Sequence, residues 1–253
     1  MNNPSPRALL VRGMLAGLLA GVAAFLVAYL LGESKVDAAI AIEEAGQHAA
    51  GVHDHGEAAP VSRALQATAG LGTGVLLYGV ALGGIAALVF CYALGRIGRF
   101  GPRATAALVT GGLFVTVTLV PFLKYPANPP AVGDPETAAR RTALYLLMIA
   151  LSALLAAITL ILGRRLAPKL GNWNASIAAG AAFVLAVGIS YAVLPGINEV
   201  PEDFPAALIW QFRLASLAIQ AALWTTFGLA FGYLAERALV PAAAPKEAVQ
   251  PTS

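Results

Sequence analysis

The chain has 253 residues, 58% hydrophobic and only 11% charged, with a mean hydropathy of +0.75. A soluble domain carries about 25% charged residues, so an ordinary soluble enzyme, a disordered chain and a nucleic-acid binder are all excluded; the pI of 9.2 rests on a net charge of just +3. A single Cys excludes an intramolecular disulfide framework, and what remains is an all-α, polytopic integral membrane protein.

A bilayer core of about 30 Å takes roughly 20 apolar residues per helix. Six runs of that kind follow one another at about 8–31, 67–94, 104–123, 142–162, 176–194 and 206–235. They predict one six-helix membrane domain over 1–240, a His- and acid-bearing outer loop at 32–66, and a disordered cytoplasmic tail at 241–253. The first run follows Arg7 and Arg12, the polarity of a signal peptide. Its apolar core outruns the usual 7–15 or so residues of such a peptide, so it reads as a retained helix. Gly13, Gly17 and Gly21 on the first run, and Gly70 with Gly74 and Gly79 with Gly83 on the second, have the small-residue spacing of helix-packing faces. The sixth run is longer than a bilayer requires and must tilt or protrude.

Six spans put both termini on one side, and Lys/Arg bias places that side in the cytoplasm. The inner turns, 95–103 and 163–169, are then short and basic, and nearly all acids fall on outer segments. An anionic outer face concentrates cations. The topology divides into three hairpins with signs of an internal repeat: Leu88-Val89-Phe90-Cys91-Tyr92 matches Leu229-Ala230-Phe231-Gly232-Tyr233 at the ends of the second and sixth runs.

The first outer segment holds every His of the chain. His48, His53, Asp54, His55 and Glu57, with Glu43 and Glu44 upstream, supply imidazole and carboxylate ligands for borderline divalent metals such as Co, Ni and Zn. The alternative is a solvated loop with incidental His. The second outer segment, Pro121 to Pro135, is stiffened by repeated Pro. Its free carbonyls, Tyr125, Asn128 and Asp134 could line an entrance; Lys124 either pairs with an acid such as Glu199 or snorkels outward. The third, Asn198 to Pro205, packs Asn198, Glu199, Glu202 and Asp203 into a Pro-bounded turn able to offer oxygen ligands. Asp203 also reads as a helix N-cap. Gln211 and Arg213 enter the sixth run close behind; an Arg at that depth is expected either to pair with Glu199, Glu202 or Asp203 or to snorkel. No His or acid lies deep in a run, which argues against an intramembrane enzyme, and no Gly-x-x-x-x-Gly-Lys phosphate loop is present.

These segments carry a family resemblance. Leu10 to Gly21, Val36-Asp37-Ala38-Ala39-Ile40-Ala41, the His-bearing segment, Pro121 to Asp134, Asn198 to Phe204 and Phe212-Arg213-Leu214-Ala215-Ser216 are similar to the CbtA family, the larger membrane subunit of a bacterial cobalt transporter. The resemblance spans Ala8 to Leu239 and implies a non-enzymatic, multi-pass protein of the bacterial inner membrane. It implies import of cobalt, linked to cobalamin synthesis; the ligand chemistry of the His-bearing segment keeps nickel as a second candidate cargo. It further implies no permanently bound cofactor, a small one-helix CbtB-like partner in the lipid bilayer, and room for a homo-oligomer. A non-transporting metal sensor or assembly scaffold is the competing function.

Overall fold

The computed structural model describes residues 5–49 and 61–240; His53, Asp54, His55, Glu57 and the tail expected at 241–253 lie outside them. Among the described residues every regular element is helical. Five helices are long and apolar enough to cross a membrane: Pro6–His48, Arg63–Ala93, Pro102–Lys124, Pro135–Val193 and Ala206–Leu239.

Ser5 caps the first helix, its hydroxyl accepting from the Ala8 N–H at 3.3 Å, with Pro6 in the first turn. This helix, α1 (Pro6–Val27), passes through a π-helical turn at Ala28–Gly32 into α2 (Glu33–Ala49). The stretch expected to be loop from residue 32 is therefore helix as far as Ala49. Its Ala-rich sequence has high helix propensity, and no Pro interrupts it. Arg63 anchors it, donating to Glu33 and, at 2.9 Å, to Asp37 one turn on. Ser62 caps α3 (Arg63–Leu65), which continues through a π turn at Gln66–Gly70 into α4 (Leu71–Ala93).

α1 and α4 pack antiparallel with their backbones almost touching. A methyl group added at Gly13 would lie 2.6 Å from the Gly83 carbonyl oxygen, and one at Gly79 would lie 2.5 Å from that of Gly17. Gly13, Gly17, Gly21, Gly79 and Gly83 thus form the close-packing face their spacing indicates. Gly74 has nothing within 4 Å and takes no part, and a methyl at Gly70 would meet only a carbonyl of the preceding turn.

The third helix is α5 (Pro102–Leu113), a π segment (Phe114–Leu119) and α6 (Val120–Lys124). The β-branched run Val115-Thr116-Val117-Thr118 crowds a regular helix here. Ser152 also donates its hydroxyl proton to the Thr116 carbonyl, inserting a side chain into the ladder.

α7 (Ala138–Val193) has one non-helical residue, Gly171, at φ 75° and ψ 159°. A methyl at Gly163 would meet the Ala179 side chain at 3.2 Å, although a straight helix would hold residues 16 apart at roughly 24 Å. The chain therefore folds back at Gly171, and Met148, Leu155, Phe183 and Val187 of the two arms join one cluster. The turn expected at 163–169 is helical, Pro168 included, and the reversal falls on the residue free to adopt a positive φ.

α8 (Ala206–Leu239) packs against α1 and α5. Its core is aromatic: Phe231 meets Phe90 edge-on at 5.1 Å and stacks on Phe227 at 5.3 Å. The two matching Phe-x-Tyr segments noted in the sequence thus touch at their buried Phe residues. Each Tyr carries the guanidinium of the Arg four residues on, Arg96 over Tyr92 at 4.9 Å and Arg237 over Tyr233 at 4.8 Å. Trp224 donates its Nε1–H to the Thr118 hydroxyl at 3.0 Å, a buried bond between α8 and the third helix. The dominant partner of the third helix is α8, rather than the helix that follows it in sequence.

Candidate functional site: a cleft at the α2 end of the bundle

At the end of the bundle that carries α2, the Pro-rich segment folds back across the helix ends. Val132 donates its N–H to the Pro129 carbonyl at 3.3 Å. With Pro130 second in this turn and Ala131 third at φ 66°, the pattern is that of a type II turn with Ala where Gly is usual. Gly133 follows at φ 122°, and a side chain there would run into the Arg141 guanidinium. Asp134 then caps the helical turn Pro135–Thr137 that leads into α7, accepting from the Glu136 N–H at 2.9 Å.

The turn before α8 is seated by Phe204, buried with Val132, Leu208, Ile209 and Ala39 of α2. Its residue 203 side chain does not cap α8, which begins on Pro205 without a side-chain cap. Burial of Phe204 fixes the turn instead, and it leaves Glu202 and Asp203 exposed.

Between these segments lies a cleft of about 680 Å³. Tyr125, Asn128, Arg141, Tyr145, Asn198, Glu199 and Arg213 supply its polar and aromatic wall, beside Phe122, Ile197 and Val200. Glu199 is the hub. It accepts from the Asp134 N–H at 2.9 Å and the Thr137 hydroxyl at 2.7 Å, and pairs with Arg141 at 3.3 Å. The Thr137 hydroxyl, the Asp134 N–H and the Arg141 and Arg140 guanidiniums together hold its carboxyl below the ordinary carboxylate value. Arg141 also donates to the Asp134 carbonyl at 3.2 Å.

Among the described residues Arg213 pairs with no acid. It donates instead to the Asn128 Oδ1 at 2.9 Å and the Ala127 carbonyl at 3.3 Å. Lys124 likewise meets a neutral acceptor and not Glu199, donating to the Tyr191 carbonyl at 2.7 Å. Ala127 lies in the Pro-rich segment, whose carbonyls no helix consumes, and Tyr191 lies in the last turn of α7, where its carbonyl would face Pro195, which has no N–H to donate.

Of the residues singled out as an entrance, the cleft gathers Tyr125, Asn128, Asn198, Glu199 and Arg213. Lys124, Asp134, Glu202, Asp203 and Gln211 are not part of its lining. Arg141, Thr137 and Gly133 were not singled out. The signal available for Arg141 was the glycine that makes room for it eight positions earlier. Of the candidate metal ligands, Glu43, Glu44 and His48 are described, and all three project from exposed positions on α2. Glu44 and His48 are one turn apart on one face. No cluster of three or more His, Cys, Asp or Glu forms among the described residues.

Long apolar helices, a Gly-Gly packing seam and a polar cleft built at the helix ends define a multi-pass helical membrane protein. The family model for CbtA, described as a probable cobalt transporter subunit, matches residues 6–236. The chain belongs to the CbtA family. No curated protein and no solved structure matches it.

Proposed function

We propose that this protein is the metal-passing membrane subunit of a cobalt importer, with nickel as an alternative cargo. It spans the bacterial inner membrane six times with both termini in the cytoplasm. The reversal at Gly171 supports six spans, since it divides the longest helix into two antiparallel arms. Divalent metal is captured on the outer face by His48, His53, Asp54, His55 and Glu57, with Glu43 and Glu44, and then passes between helices. A small one-helix subunit accompanies it in the bilayer.

The observation that carries this reading is α2. A membrane helix continues into α2, which carries Glu44 and His48 exposed on one face, just before the remaining His residues in sequence. Imidazole and carboxylate at one-turn spacing form a bidentate half-site for a borderline divalent ion. The test is Co²⁺ and Ni²⁺ uptake into proteoliposomes holding the full chain. Replacing His48, His53 and His55 with Ala is expected to reduce uptake at limiting metal by tenfold or more, and unchanged uptake would refute the capture role.

One observation favours a second reading, a metal sensor or assembly scaffold. Among the described residues, acids and His occur only at or beyond the ends of the apolar runs, whereas transporters usually place their site near the midplane. Metal binding with no flux, with or without the small subunit, would select it.

A further inference from the structure

The cleft has a charge balance that suits an anion. Its wall contains two guanidiniums, Arg141 and Arg213, and one carboxylate, Glu199. Arg141 and Glu199 cancel each other at 3.3 Å. Among the described residues Arg213 has only neutral partners, the Asn128 amide oxygen and the Ala127 carbonyl. A guanidinium has five N–H donors in a planar fork suited to bidentate oxyanions, and those two bonds leave the rest of the fork to the cleft. Asn128 presents its oxygen to Arg213, which leaves its amide nitrogen as a further donor on the same wall. The one carboxylate of the lining is already engaged, because Glu199 receives Asp134, Thr137 and Arg141.

Size points the same way. A cleft of about 680 Å³ falls within the range of roughly 300–1,000 Å³ for small-molecule sites and is far larger than a bare metal ion needs. A net positive wall repels free divalent cations and attracts a carboxylate or phosphate group.

We infer that the cleft is an oxyanion-binding site, with Arg213 as its charged anchor and Asn128 beside it. The ligand is a small carboxylate or phosphate compound, or the phosphate headgroup of a membrane lipid. This site is separate from metal capture on α2 and does not depend on it.

The test uses the full-length protein in an uncharged detergent, free of metal, titrated with citrate, with inorganic phosphate, and with phosphatidylglycerol in mixed micelles. Binding is read by calorimetry, and by the melting temperature as a second measure. At least one of the three probes is expected to bind and to weaken as salt rises. Arg213→Gln is expected to weaken it about tenfold or more, and Arg213→Lys by less. Binding of citrate or phosphate in lipid-free micelles identifies a soluble ligand; binding of phosphatidylglycerol alone identifies a headgroup. If Arg213→Gln does not yield folded protein, Asn128→Ala replaces it, with an expected loss of about threefold to tenfold. Absence of binding by all three probes, or equal affinity in whichever variant folds, overturns the inference.

Discussion

Arg141 and Glu199 face each other across the cleft, Nη1 to Oε2 3.3 Å apart, and together they join two segments far apart in sequence. Arg141 stands on the first turns of α7, and Glu199 on the strap between α7 and α8. Glu199 also takes the Asp134 N–H and the Thr137 hydroxyl. One carboxylate therefore ties the Pro-rich segment, α7 and the strap before α8.

That tie makes stability depend on pH in a definite direction. Glu199 is held below its ordinary carboxylate value in the folded protein. Its contribution is fully present above the unfolded carboxylate pKa of about 4.3 and is lost as pH falls through the lower, folded value. Thermal melts of wild type and Glu199→Gln from pH 7 downward should show a gap that is constant near neutrality. The gap should close in acid, where the wild-type carboxyl is itself protonated.

The α1–α4 seam should reject any side chain at its centre. At Gly79 the nearest obstacle is the backbone carbonyl of Gly17 at 2.5 Å, which no rotamer change can move aside. Gly79→Ala and Gly13→Ala should each cost about 1–3 kcal/mol and lower the melting temperature in detergent. Gly74→Ala, with open space around it, should leave the melt unchanged or raise it slightly through helix propensity.

The Trp224–Thr118 bond gives a spectroscopic handle on the contact between α8 and the third helix. Thr118→Val keeps the shape and removes the acceptor of a buried indole N–H. The expected cost is about 1–3 kcal/mol. Trp173 and Trp210 are exposed and Trp224 is buried, so a blue shift of the buried component should accompany the loss of the hydrogen bond.

Two backbone positions in the Pro-rich turn, one residue apart on either side of Val132, should respond in opposite directions. Ala131 occupies φ 66°, a conformation that costs an L residue about 1–2 kcal/mol, so Ala131→Gly should hold or raise the melting temperature. Gly133→Ala should lower it, because φ there is 122° and the added methyl meets the Arg141 guanidinium. If both variants melt alike, the turn geometry is not as described.

The membrane-crossing elements could be read from sequence because a long apolar run has few other destinations, and the Gly seam could be read because spacing alone fixes a helix face. The reach of α2 was hidden by composition, since Glu, His and Ala on a solvated helix resemble a polar loop. The reversal at Gly171 was masked by a basic, Pro-containing stretch just before it that has the residues of a turn but stays helical. Partner choice was not legible either. Nothing in the apolar pattern of 102–124 indicates that α8 is its main neighbour, because that follows from shape, with Phe227, Phe231 and Trp224 filling the space. At the cleft, the residue types were recognisable and their pairings were not: Arg213 and Lys124 found backbone and amide oxygens, which the sequence presents at every position and marks at none.

The uninterrupted helix from Pro6 into α2 also separates two charges that would otherwise oppose each other. Among the described residues α2 packs on Phe204 and the start of α8 through Ala39 and Ile42, and positions 43–48 beyond them are exposed. His48 stands nine residues past Ala39, about 13 Å further along the axis. At physiological salt, fields between exposed charges fade over about 8 Å. If metal is captured there as proposed, the ion beside His48 stands more than one screening length beyond the level of Ala39, so its repulsion by Arg213 in the cleft is damped.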